Sequence, residues 1–181
     1  MSEGSPPISI PRITTERLLL REVQSRDFAS YEKFLSDPEA TRFLAGVVDG
    51  RTAWRLMASL AGGWVLVGAG WWAIEIRQTG EFVGVVGAFF RETSLPLGPD
   101  SDIELGWSLF PPYWRKGYAT EAARAALAYA FARHDVRRAI AHIDPTNIPS
   151  IKVAEAIGMP FEGEVDFYGK QCARHALARR H

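Results

Sequence analysis

Cysteine is nearly absent from this 181-residue chain: Cys172 stands alone, which excludes an internal disulfide and suits a reducing compartment. The four histidines and that one thiol show no H-x-x-x-H or C-x-x-C spacing, so no metal is expected. An excess of either charge is missing too. Twenty-one basic residues face twenty-one acidic ones, so no overall field favours nucleic acid or an anionic membrane, and any anion site has to be built locally. Met1–Pro7 lacks the basic-then-apolar order of a secretion signal, which makes the cytoplasm the expected location. The one long charge-free run, Leu56 to Ile74, is broken by Gly62, Gly63, Gly68 and Gly70 and holds Trp64, Trp71 and Trp72 mid-run. It reads as a helix end, a glycine loop and the start of a buried strand rather than a membrane span. Neither G-x-x-x-x-G-K-[ST] nor G-x-G-x-x-G occurs in the setting that nucleotide chemistry requires.

What is present is core material, 47% hydrophobic residues with 23% charged, enough for one globular domain. Pro6, Pro7 and Pro11 make residues 1–11 a flexible lead, leaving 12–181 as the domain. Strands are expected over 15–23, 71–77, 81–90, 103–109, 137–143, 161–167 and 171–177. Helices are expected from a Ser25 cap to Asp37-Pro38, over 52–60 until the glycines stop it, over 117–133, and over 149–157. Gln78-Thr79-Gly80 is a hairpin signal, and 91–101 reads as a surface loop. This order describes an α/β fold, a mixed sheet with helices on both faces.

One stretch carries the chemistry. The strand Ile103–Leu109 runs through Phe110-Pro111-Pro112-Tyr113-Trp114-Arg115-Lys116-Gly117 into an alanine-rich helix that starts Tyr118-Ala119-Thr120. Unpaired N–H groups, two cations and a glycine at a helix start are suited to gripping a phosphate.

Leu109-x-Pro111-x-x-Trp114-x-x-Gly117-x-Ala119 resembles the V-x-P-x-x-Q/R-x-x-G-x-G/A signature of the GNAT N-acetyltransferases. Arg115–Ala122 looks like the branch of bacterial ribosomal-protein amino-terminal acetyltransferases, the RimJ/RimL type. Asn147–Met159 is similar to that branch's N-x-x-S-x-x-V-x-E-x-x-G-F block. Trp114 departs from the usual glutamine or arginine, Arg115 stands where a second glycine is common, and Met159 replaces phenylalanine. The resemblance implies a mostly antiparallel seven-stranded sheet splayed between its fourth and fifth strands, and transfer of acetyl from acetyl-CoA to a primary amine by direct attack. A non-catalytic acyl-CoA-binding module of the same fold is the alternative. It further implies that Trp107, Ser108 and Leu109 bind the pantetheine arm, with a bulge there opening the cleft. The pyrophosphate falls to Trp114, Arg115, Lys116, Gly117, Tyr118, Ala119 and Thr120, and Asn147 holds cofactor or helix geometry. Glu104 is the first candidate base and His142 its rival; Ser150 or water is the acid that protonates the thiolate. The acceptor is a protein amino terminus or a small-molecule amine, its wall expected in 25–70, 91–101 and 160–178. A homodimer paired through the last strands is compatible with this reading.

Overall fold

The computed structural model describes residues 9–179, so most of the lead expected over 1–11 lies outside the described residues. The chain runs β1 (Ile13–Thr14), β2 (Leu18–Arg21), α1 (Phe28–Leu35), α2 (Pro38–Thr41), α3 (Gly50–Val67), β3 (Gly70–Ile76), β4 (Phe82–Phe89) and β5 (Asp102–Leu109). It continues with α4 (Tyr118–Arg133), β6 (Arg138–Ile143), α5 (Ile148–Ala156), β7 (Phe161–Phe167) and β8 (Lys170–Ala178). The strands form one sheet in the order β1-β2-β3-β4-β5-β6-β8-β7. Every neighbouring pair is antiparallel except β5 and β6.

Three boundaries differ from expectation, each for a local reason. The first strand is two, because Thr15 closes a turn onto the Leu18 carbonyl and sends the chain back on itself. The sheet therefore has eight strands, and the fourth and fifth of the sequence reading are β5 and β6. Ser25 is not a cap: it lies inside a short 3-10 turn, held as the Gln24 N–H donates to Asp27 Oδ2 at 2.8 Å. Helix α3 passes straight through Gly62 and Gly63 and ends only at Gly68. Trp64 holds that extra length. Its ring meets Trp72 and Tyr129, and its Nε1 donates to the Trp71 carbonyl at 3.0 Å.

Alternation along β5 sorts its side chains between two faces. Ile103, Leu105 and Leu109 join the large core with Ala122, Ala123 and Ala126 of α4, whose small side chains let helix and sheet approach closely. Glu104, Gly106 and Ser108 therefore turn to the opposite face. There the Trp71 ring lies flat over Gly87 and Gly106, where a Cβ on either glycine would come within 2.5 Å of it, and stacks on Phe89 at 5.0 Å. α1 and α3 cover this face further along, through Tyr31, Phe34, Met57 and Leu60.

One buried ionic cluster ties the α1 entry to the sheet. Arg21, 2% exposed, donates from Nη1 and Nη2 to the two Asp27 oxygens at 2.7 and 2.8 Å, and from Nε to Glu75 at 2.7 Å. Removing one partner of such a cluster leaves charge stranded in a low-dielectric interior. Asp27→Ala is expected to cost about 3 kcal/mol, read as a lowered urea midpoint with an unchanged m-value.

Candidate active site

Strands β5 and β6 stay together for only three residue pairs, Asp102–Arg138, Ile103–Ala139 and Glu104–Ile140. Beyond them β5 remains bonded to β4 as far as Leu109, while β6 follows β8. The two diverge, and the edge of β5 from Gly106 to Leu109, which carries Trp107 and Ser108, faces the gap with no strand beside it. The bulge expected in β5 is not there, since its register with β4 runs unbroken. The irregularity lies one strand over, where β4 steps past Val83 to Gly84, and the Gly84 position sits so close to the Ser108 carbonyl that a Cβ would meet it at 2.2 Å. Trp114 takes a role of its own: its indole Nε1 donates to the Leu109 carbonyl at 2.6 Å, fixing the end of the free edge.

The turn that follows presents a row of unused donors. Trp114 N–H bonds Pro111 and Glu121 N–H bonds Gly117, but the N–H groups of Arg115, Lys116, Gly117, Tyr118, Ala119 and Thr120 between them donate to nothing among the described residues. Such a row at the head of the 16-residue α4 is a locus of positive potential. Its shape comes from left-handed backbone at Arg115 (φ 60°) and Gly117 (φ 78°), so the arginine occupies a conformation that favours glycine. On the other side of the gap α5 begins directly after β6. Asn147 caps it, its Oδ1 accepting from Ser150 N–H at 3.3 Å, and Arg124 of α4 donates to Ala156 O at 2.8 Å, which ties the two helices together.

On the face shared with Trp71 lies a hollow of about 700 Å³, floored by Glu104, Ile140 and His142 and walled by the 91–101 loop and the β7–β8 turn. Glu104 is 5% exposed and gripped by Arg91, whose Nε and Nη2 meet its two oxygens, the second at 2.8 Å. His142 Nδ1 stands 3.5 Å from Glu104 Oε1 and has no closer partner among the described residues. Burial works to raise the Glu104 carboxyl, but the neighbouring His142 and the Arg91 guanidinium outweigh it and hold the group below the usual range. Phe167 lies between His142 and Arg91, stacked on the imidazole at 4.2 Å and under the guanidinium at 4.5 Å. Tyr168 reaches across to hydrogen-bond Glu92, so the hairpin turn and the loop meet over the hollow.

The structure thus brings together two groups of the expected residues. Trp107, Ser108, Leu109, the 114–120 turn, Asn147 and Ser150 flank the gap, and Glu104 with His142 floors the hollow. Two of the three stretches expected to wall an acceptor, 91–101 and 160–178, line it; residues 25–70 contribute nothing to its lining. Arg91 and Phe167 belong to no motif. Only their places, directly after β4 and at the end of β7, could have pointed to them. No group of three or more metal-binding side chains occurs among the described residues.

A family model described as an acetyltransferase (GNAT) domain matches residues 17–160. The uncharacterized protein YkkB of Bacillus subtilis is 31% identical over 163 residues, 90% of this chain and 92% of that protein. The uncharacterized N-acetyltransferase YnaD of the same organism is 32% identical over 152 residues, 83% and 84% of the two chains. The crystal structure of an acetyltransferase from Agrobacterium tumefaciens superposes with a TM-score of 0.82 at 29% identity, covering 98% of this chain and all of the other.

Two stability predictions follow from the geometry. A carboxyl held low in the fold stabilises above its ordinary value of 4.5 and loses that contribution as pH falls through the depressed one. Acid unfolding of the wild type below about pH 4.5 is therefore expected to be steeper than that of Glu104→Gln, measured by fluorescence against pH. Arg115→Gly relieves a left-handed arginine and is expected to raise stability by up to about 1 kcal/mol in urea unfolding.

Proposed function

The chain belongs to the GNAT acetyltransferase family, and from that premise we propose that it moves acetyl from acetyl-CoA to a primary amine by direct attack. The observation that carries the reading is the wedge between β5 and β6, with an unpartnered strand edge leading to a row of free N–H donors. Those features fit the two halves of the donor. The amide-bearing pantetheine arm can complete the ladder of β5 at Trp107–Leu109, and the diphosphate suits the donors of Arg115–Thr120, with Gly117 allowing close approach. Acetyl-CoA is a substrate, supplying an acetyl thioester; the residues of this chain orient it and move protons.

The hollow on the other side of the sheet takes the acceptor. An α-amino group is largely protonated near neutrality and a lysine amine more so, so a proton must leave before attack. Glu104, clamped by Arg91, is a weak base and a good anchor. We assign the base to His142: with Glu104 facing Nδ1, the imidazole keeps Nε2 free to take the proton, directly or through water. As the amine nitrogen bonds to the carbonyl carbon and the carbon–sulfur bond breaks, the carbonyl oxygen gains charge that a β5 N–H can meet. The thiolate then takes a proton from Ser150 or water. The acceptor class is a protein amino terminus or a small amine; the whole of 12–181 acts as one domain. One free cysteine suits the cytoplasm, and no described helix is long and apolar enough to cross a membrane.

Thiol release from acetyl-CoA across a panel of amines and peptides tests this. His142→Gln is expected to lower kcat by about 10²–10⁴, while CoA binding stays within about two-fold. Glu104→Gln is expected to lower kcat less. CoA binding without release of thiol to any amine would overturn the catalytic reading in favour of a binding module.

A further inference from the structure

The wedge and the anion turn leave unexplained the tie between α4's start and the β1–β2 turn. Arg17, in the turn between β1 and β2, reaches the anion turn with its whole side chain. Its Nη1 donates to the Lys116 carbonyl at 2.9 Å, its Nε to Glu121 Oε2 at 2.6 Å, and its backbone N–H to Glu121 Oε1 at 2.8 Å. Thr15 Oγ1 adds a bond to Glu121 Oε1 at 2.6 Å, and the Tyr118 ring lies 4.8 Å below the guanidinium. This clasp spans a hundred residues of sequence and closes on one peptide unit.

What it does there follows from peptide geometry. The Lys116–Gly117 bond is trans, so its C=O and N–H point in opposite directions. Holding the Lys116 oxygen towards Arg17 turns the Gly117 N–H away from it, to the side on which the turn's other donors are free. It also occupies the carbonyl that Thr120 N–H would bond in a regular helix, and Thr120 N–H is indeed without a partner among the described residues. Glu121 sits in the first turn of α4, where a carboxylate would compete with a bound anion for the helix end. Arg17 and Thr15 draw it aside and neutralise it. The Arg17 side chain is 44% exposed and that of Glu121 16%, and an ion pair with one open partner contributes modestly to folding. Such a network adds modestly to stability but sets the direction of two donors.

We infer that Arg17 is a positioning residue for the donor's diphosphate: through the Lys116 carbonyl and Glu121 it aims the Gly117 and Thr120 N–H groups and keeps the helix end clear of negative charge. This rests on the donor reading above and adds a residue remote from both family motifs. The ligand chemistry is the diphosphate, not the thioester, so loss of the clasp acts on affinity for the nucleotide half of the donor.

The test compares Arg17→Met, Arg17→Lys and Glu121→Gln with the wild type, using acetyl-CoA and acetyl-pantetheine, which lacks the diphosphate. KM for acetyl-CoA is expected to rise about 10-fold in both arginine variants, lysine included because its ammonium cannot span both acceptors, and less in Glu121→Gln, which removes the competing charge itself, with kcat within about two-fold. Rates with acetyl-pantetheine and thermal midpoints are expected to stay near wild type. An unchanged KM for acetyl-CoA, a fall confined to kcat, or an equal loss with acetyl-pantetheine would overturn the assignment. A wild type that neither binds CoA nor releases thiol would instead sink the donor reading itself.

Discussion

A strand edge inside a folded protein cannot be left unpaired without cost, because each buried N–H or C=O deprived of water needs another partner. The structure turns on one place where that rule is suspended. β5 and β6 bond for three residue pairs and then part, each held by the strand on its outer side. The gap exists because β4 and β8 are secure enough to keep the two strands apart. The elements proposed to hold the donor hang on its margins: the free edge of β5, the helix that follows β5, and the helix that follows β6.

The two faces of the sheet are built on different physics. On the α4 side the packing is apolar and fine-grained, with alanines against isoleucine and leucine, and the polar groups are backbone groups at a helix end. On the opposite face aromatic rings and ions alternate. Trp71 and Phe89 lead to Arg91, which sits over Phe167, and Phe167 stacks on His142 beside Glu104. A buried carboxylate is costly by itself, so Glu104 exists as an ion only because Arg91 and His142 surround it. That mutual dependence ties β4, β5 and β6 together at the floor of the hollow.

The motif-bearing stretches were legible in the sequence, since a strand, a glycine turn and a helix start are local events. The seven longer strands, α4, α5 and the Asn147 cap follow from residues a few positions apart. The failures have a common cause. α3 crosses two glycines because Trp64 is anchored to β3 and α4, and local propensity is overruled by tertiary packing. Trp114, which seemed a mere substitution in the signature, found a carbonyl five residues back that only the folded turn brings within 2.6 Å.

The sequence by itself determined the family and the order of elements, because these depend on spacing along a continuous chain. The tertiary structure alone decided that Arg17 clasps Lys116 and Glu121, that Arg91 claims Glu104, and that the 91–101 loop meets the β7–β8 turn over one hollow. Those pairings join residues from 13 to 104 positions apart in sequence. Nothing in a side chain's identity specifies a partner until the sheet order brings β2, β5 and β8 into register around the divergent pair.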